Sequence, residues 1–227
     1  VSMLMAATEF VKRAFTKGPS NSLQSVLSVV DDYVFDRRHQ LDTRSEVAIN
    51  DLDISDEDKQ HADKYKPTRA RYFRKIMAKL DLPREGVFVD VGCGKGRILL
   101  LAAEHGFDQV VGLEISPSLC EIAERNVASF RENTPTASSI EVVCTNILDY
   151  QMDGSETVFF LYSPFDQPVT KTFLEMIRQS INDHPRDLWL IIDEFRFPEL
   201  LEDDELLKQS LVYEYGSAIF HVYHHLS

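Results

Sequence analysis

The segment Val87-Phe88-Val89-Asp90-Val91-Gly92-Cys93-Gly94-Lys95-Gly96-Arg97 constrains this chain more than any other stretch. A short, largely β-branched apolar run of this kind reads as a buried parallel strand. Three glycines in five residues follow it, and then an apolar run with the spacing of a helix. Glycine has no Cβ, so such a loop bends sharply and lets a ligand come close to the backbone. The helix that opens from it presents unpaired amide N–H groups to that ligand. Strand, glycine loop and helix together predict the opening unit of a parallel α/β sheet.

Downstream, the alternation continues. Residues 97–104 read as a helix stopped by Gly106, and 109–114 as a second strand. Ser116-Pro117 opens a second helix, with serine in the capping position and proline at the first turn, running to about Phe130. Residues 140–144, 157–161 and 188–192 are three further strands, with a helix over 169–180 between the last two. Past Pro198 comes a short acidic helix. Residues 211–215 and 218–223, joined by Gly216-Ser217, then read as a terminal hairpin.

Upstream of residue 85 the texture differs. Residues 1–84 are polar and helical in pattern, with Leu23, Val26, Leu27, Val30 and Val34 at helical spacing. This predicts an N-terminal helical extension with a covering loop over 1–84 and a ligand-binding domain over 85–227. Five acids between Asp51 and Asp58 read as a solvated loop or helix start. Seven basic residues between Lys64 and Lys79 read as a helix that begins at Pro67 and pairs with those acids.

The glycine loop also selects the ligand. Glu114 follows Gly96 by 18 residues and falls at the carboxyl end of the neighbouring strand, where it can accept two ribose hydroxyls. The loop is Gly-x-Gly-x-Gly, not the Gly-x-Gly-x-x-Gly of dinucleotide sites. A P-loop is excluded because Lys95 is followed by Gly96, not by serine or threonine. Asp90, two residues before the first glycine, suits a ligand carrying a positive amino or sulfonium group. S-adenosyl-L-methionine meets all of these conditions.

On these residues the chain resembles the class I S-adenosylmethionine-dependent methyltransferases over about residues 87–224. Asp-Val-Gly-Cys-Gly-Lys-Gly is similar to the first family motif and Val-Val-Gly-Leu-Glu-Ile-Ser to the second. The resemblance implies a doubly wound, seven-stranded Rossmann-like sheet of order 3-2-1-4-5-7-6, with strand 7 antiparallel. It implies that Gly92, Gly94 and Gly96 line the methionine part of the cofactor, with Asp90 and Cys93 beside them. Glu114 would hold the ribose, with Ile115 next to it, and Asn146 and Ile147 the adenine. Many members have aspartate where this chain has Asn146. Tyr65-Lys66-Pro67-Thr68 is similar to a leader loop of the non-SET-domain histone lysine methyltransferases, which implies that Tyr65 and Thr68 contact the cofactor.

The acceptor position follows the fourth strand, at Tyr162-Ser163-Pro164-Phe165. Many N-methyltransferases of this class have Asn/Asp-Pro-Pro-Tyr/Phe there. Serine lacks the planar amide, so the acceptor is left open between a protein and a small-molecule nitrogen or oxygen. Ser163, Tyr162 and Phe165 are the expected catalytic positions, with Tyr162 and Asp166 as alternative bases. Asp193-Glu194 reads as a pair of solvated loop acids.

Composition narrows the partners. With 24 basic and 37 acidic residues the net charge is −13, which argues against a protein that coats phosphate backbones. Three cysteines without Cys-x-x-Cys spacing favour a reducing, cytoplasmic setting. No apolar stretch is long enough to cross a membrane, and residues 1–15 hold no signal-peptide core. His221, His224 and His225 fall on alternating faces of a strand, so no metal is expected. The competing functions are a non-catalytic binding protein on the same fold and, against the loop spacing, an NAD-dependent oxidoreductase.

Overall fold

A computed structural model describes residues 19–61, 65–162 and 165–227. Among these, seven strands form one sheet in the order β3-β2-β1-β4-β5-β7-β6. They are β1 Val87–Val91, β2 Gln109–Glu114, β3 Ser139–Cys144, β4 Glu156–Tyr162, β5 Leu188–Asp193, β6 Lys208–Tyr215 and β7 Ala218–His225. The first five are parallel, and β7 runs antiparallel to both β5 and β6. The hairpin closes with Tyr215 opposite Ala218, across Gly216-Ser217. This is the expected sheet.

Helices cover both faces, so β1 is buried along its whole length and needs no polar side. In chain order they are α1 Pro19–His39, α2 Asp56–His61, α3 Ala70–Met77, α4 Arg97–His105, α5 Pro117–Asn133 and α6 Gln167–Asp183. Helix α4 begins and ends on glycines in the left-handed region, Gly96 (φ 82°) and Gly106 (φ 96°). Helix α5 is capped by Ser116, which accepts from Leu119 N, and α6 by Asp166, which accepts from Val169 N. Phe35, Tyr72, Phe73, Ile76 and Met77 join Phe88, Leu100 and Phe160 in one apolar cluster. The segment before β1 is therefore built into the core of the sheet.

Three expectations for that segment are corrected. First, the apolar positions of α1 from Leu23 to Val34 face outward, with Leu23 60% and Val34 54% exposed, whereas Phe35 is buried together with Ser28, Asp32, Asp36 and His39. Charge pairing, rather than apolar burial, decides which face of this helix turns inward. Second, α3 begins at Ala70, not at Pro67. Residue 66 precedes a proline, which disfavours helix there, and Tyr65 pairs antiparallel with Val47. Asp32, reaching across from α1, accepts from Ala70 N at 2.9 Å and so caps the helix. Third, among the described residues none of these basic side chains forms an ion pair with the acids at 51–58. Arg69 pairs with Asp32, Arg71 with Asp31, Arg74 with Glu104 and Lys66 with Glu194. Lys64 lies outside the described residues.

Candidate cofactor and active site

The carboxyl ends of β1, β2, β3 and β4 open into a cavity of about 590 Å³. A cavity at this edge of an open α/β sheet is where ligands bind. The segment before β1 roofs it: Leu52, Glu57, Asp58, His61, Tyr65 and Lys66 line one side, and Gly92, Glu114, Ile115, Asn146, Ile147, Tyr162 and Phe165 the other. A smaller recess shares Tyr65, Gly92 and Tyr162 with it and is also lined by Thr68, Asp90 and Cys93. Gly94 and Gly96 line neither. Ser163 lies outside the described residues.

Glu114 ends β2 with its carboxylate held by three amides. Oε2 accepts from Gly94 N at 2.8 Å, and Oε1 from Ile115 N and Ser116 N at 2.9 Å. Burial pushes its pKa up, against those three N–H groups. Oε2 keeps a second lone pair for a ligand hydroxyl, while Oε1 already accepts from two amides. Gly94 has φ 55°, and a Cβ there would sit 2.1 Å from Cε2 of Tyr65. The tyrosine ring therefore lies flush on the loop, and its hydroxyl donates to the Thr43 carbonyl. Gly96 abuts Ala123 of α5 and serves the packing of the helix.

Asp90 is buried in the recess, and its Oδ2 has no hydrogen-bond partner. Burial, with the nearby charge of Glu114, pushes its pKa well up. A buried oxygen without a donor, in a recess beside the glycine loop, fits a ligand ammonium, which would restore the ionised form. Burial also raises the Cys93 thiol well above its ordinary value, so it is a packed neutral side chain rather than a nucleophile.

Asp193 overturns its reading as a loop acid. It ends β5 opposite Tyr162, is 1% exposed, and Thr68 Oγ1 lies 3.4 Å from its Oδ2. Burial, helped by the charge of Glu194, raises its pKa to about 7. An unfolded aspartate titrates near 4, so between about pH 4 and 7 the native state holds a proton that the unfolded state has lost. That contribution is complete below pH 4 and gone above pH 7. Asp193→Asn should therefore be more stable than the parent by at least about 1 kcal/mol at pH 8, with the gap closing toward pH 4. Urea unfolding at both pH values measures this, and an equal gap at the two would refute the assignment.

Tyr162 and Asp166, the alternative bases, are both engaged. Tyr162 OH accepts from Lys66 Nζ at 2.6 Å. Asp166 caps α6 and sits 2.7 Å from Nδ1 of His61, while its own N–H donates to the His61 carbonyl. The bond to Asp166 raises the His61 pKa. Sequence reading missed His61, because its partner lies 105 residues away. The acids at 56–58 do open a helix, α2, as expected, but two of the acids also reach the sheet: Asp53 bonds Ser116 and Ser118 at the start of α5, and Asp58 takes a bond from Asn146. His221 and His224 pack on Phe195 and Trp189.

Residues 88–183 match a family model described as a methyltransferase domain. Over those residues the chain is similar to methyltransferase domains. Solved structures with the same fold include an RNA methyltransferase from Salinibacter ruber in complex with S-adenosyl-L-homocysteine. It is 17% identical, with 71% of this chain and 94% of that one covered and a TM-score of 0.53. A SAM-dependent methyltransferase from Aquifex aeolicus is 18% identical, covers 68% and 89%, and has a TM-score of 0.54. The ribosomal protein L11 methylase of Lactobacillus delbrueckii subsp. bulgaricus is 14% identical, covers 72% and 81%, and has a TM-score of 0.54. No curated protein sequence matches the chain. These structural neighbours are described as acting on RNA in one case and on protein in another, so the shared fold leaves the acceptor unspecified. No described helix is long and apolar enough to cross a membrane.

Proposed function

We propose that this chain transfers the methyl group of S-adenosylmethionine to a protein or small-molecule nitrogen or oxygen. In this reading residues 85–227 are the catalytic unit and residues 1–84 an extension that covers the cofactor. The observation that carries it is the Glu114 carboxylate, fixed by three backbone amides on the wall of a cavity large enough for a nucleoside. Glu114 accepts the ribose hydroxyls, and Asp90 takes the α-amino group through its unpartnered oxygen. Asn146 and Ile147 border the adenine, Gly92 and Tyr65 the methionine chain, with Thr68 behind them.

The bound cofactor supplies an electrophilic methyl on a positive sulfur. Transfer is an in-line displacement in which that positive charge is lost, so holding the two reactants in line is the main contribution the protein can make. Alignment of this kind is worth up to about 7–11 kcal/mol. Tyr162, anchored by Lys66, and Phe165 border the cavity beyond the methionine end, and the acceptor enters between them. Both acids bind the cofactor at its periphery, where they need not oppose loss of charge at sulfur. The cytoplasm, where the cofactor and its acceptors meet, is the proposed setting.

The test combines calorimetric titration with S-adenosylhomocysteine and NADH, and transfer of labelled methyl into cell-lysate fractions treated with protease or nuclease. Binding of the homocysteine compound, with label lost on protease treatment or found in small molecules, is the expected result. Binding of NADH alone would overturn the reading. Homocysteine binding with no labelled fraction would favour a non-catalytic binding protein.

A further inference from the structure

The cofactor reading leaves the adenine amine without an obvious partner. A 6-amino group is a hydrogen-bond donor and needs an acceptor. Asn146, the residue after β3, is only a partial acceptor: its Oδ1 is uncharged and takes the Leu148 N–H at 3.0 Å, which leaves it one lone pair. Its other terminus, Nδ2, is a donor and points to Asp58 Oδ1 at 3.4 Å.

Asp58 belongs to α2, in the roof, and lines the same cavity as Asn146. Its carboxylate is steered from two sides. Ser55 caps α2 by accepting from Asp58 N at 3.0 Å, and the Ser55 hydroxyl donates back to Asp58 Oδ2. Asn146 fixes the other oxygen. An ionised carboxylate only accepts, and each oxygen has two lone pairs, so Oδ1 retains capacity after the Asn146 bond.

We infer that Asp58 is the acceptor for the 6-amino group of the bound adenine, so that the roof supplies the carboxylate that the sheet edge lacks at residue 146. The inference rests on the cofactor reading above and assigns its base selectivity to a residue outside the sheet. Asn146 becomes the residue that positions Asp58. A base with a 6-oxo group in place of the amine presents an acceptor to the carboxylate and is repelled.

Calorimetry on the full chain, with S-adenosyl-L-homocysteine and its deaminated analogue S-inosyl-L-homocysteine, separates the possibilities. The parent protein should prefer the adenosine compound by about tenfold or more. Asp58→Asn, whose amide can also donate, should bring that ratio close to one. Adding Asn146→Asp to Asp58→Ala should restore much of it by returning a carboxylate to the sheet edge. A ratio unchanged in Asp58→Asn would overturn the inference while leaving the cofactor reading intact. Failure of the parent to bind either compound would overturn the cofactor reading itself. Asp58 is half-buried, on a helix that buries no residue, so these variants keep the fold.

Discussion

Arg97→Met is expected to lower the unfolding free energy by about 3–5 kcal/mol, the cost of removing one partner from a buried ion pair. Arg97 is 2% exposed and is the first residue of α4, directly after the glycine loop. Its guanidinium reaches four groups of the segment before β1. It lies 3.2 Å from Asp32 and 3.9 Å from Asp36, and donates to Thr43 Oγ1 at 2.8 Å and to the Thr68 carbonyl at 3.3 Å. Asp32 is fully buried and Asp36 nearly so. Methionine fills most of the volume but leaves both acids with less positive charge than their burial demands. Arg69 and Arg44 still pair with them from the rim, which places the effect inside that range rather than above it. Urea unfolding with an unchanged m-value measures the loss. A change below about 1 kcal/mol would mean that the two rim arginines carry the charge balance.

Glu114→Ala is expected to weaken S-adenosylhomocysteine binding by about tenfold to a thousandfold. The ribose loses a charged acceptor, at roughly 1.5–3 kcal/mol per hydrogen bond before partial replacement by water. The same substitution frees the N–H groups of Gly94, Ile115 and Ser116. Those amides fix the loop and the start of α5, so part of the loss comes from a less ordered site. Glu114→Gln separates the two parts. Its amide oxygen still accepts from backbone N–H groups, but it carries no charge and has one acceptor terminus fewer. Titration calorimetry should place glutamine between glutamate and alanine. Affinity unchanged in Glu114→Ala would remove the ribose assignment.

The sheet could be read from the chain because its signals are local. A β-branched run, a glycine loop and a capped helix each lie within about fifteen residues, and their alternation admits few topologies. Glu114 and Asp90 could be placed for the same reason, since each is fixed by its distance from the loop. The roof could not. Which face of α1 turns inward depends on Arg97, some sixty residues away. Apolar spacing alone favours the face with Leu23, Val30 and Val34, which is the exposed one. The partners of the acids at 51–58 are equally out of reach, because Ser116, Ser118 and Asn146 meet them only once the sheet has formed. Asp193 looked like a loop acid because nothing in Asp193-Glu194 tells which carboxylate a strand end will bury.

Helix α2 buries none of its residues, yet it spans the cavity and is joined to the far wall at both the Asn146 and Asp166 ends. A segment held by polar bonds alone can swing out with little apolar surface exposed to water. Such an opening is local, weakly sensitive to denaturant, and far less costly than unfolding the sheet. Access to the cavity is then governed by a few hydrogen bonds rather than by the core, while Arg97 and its acids keep the rest of the described segment docked.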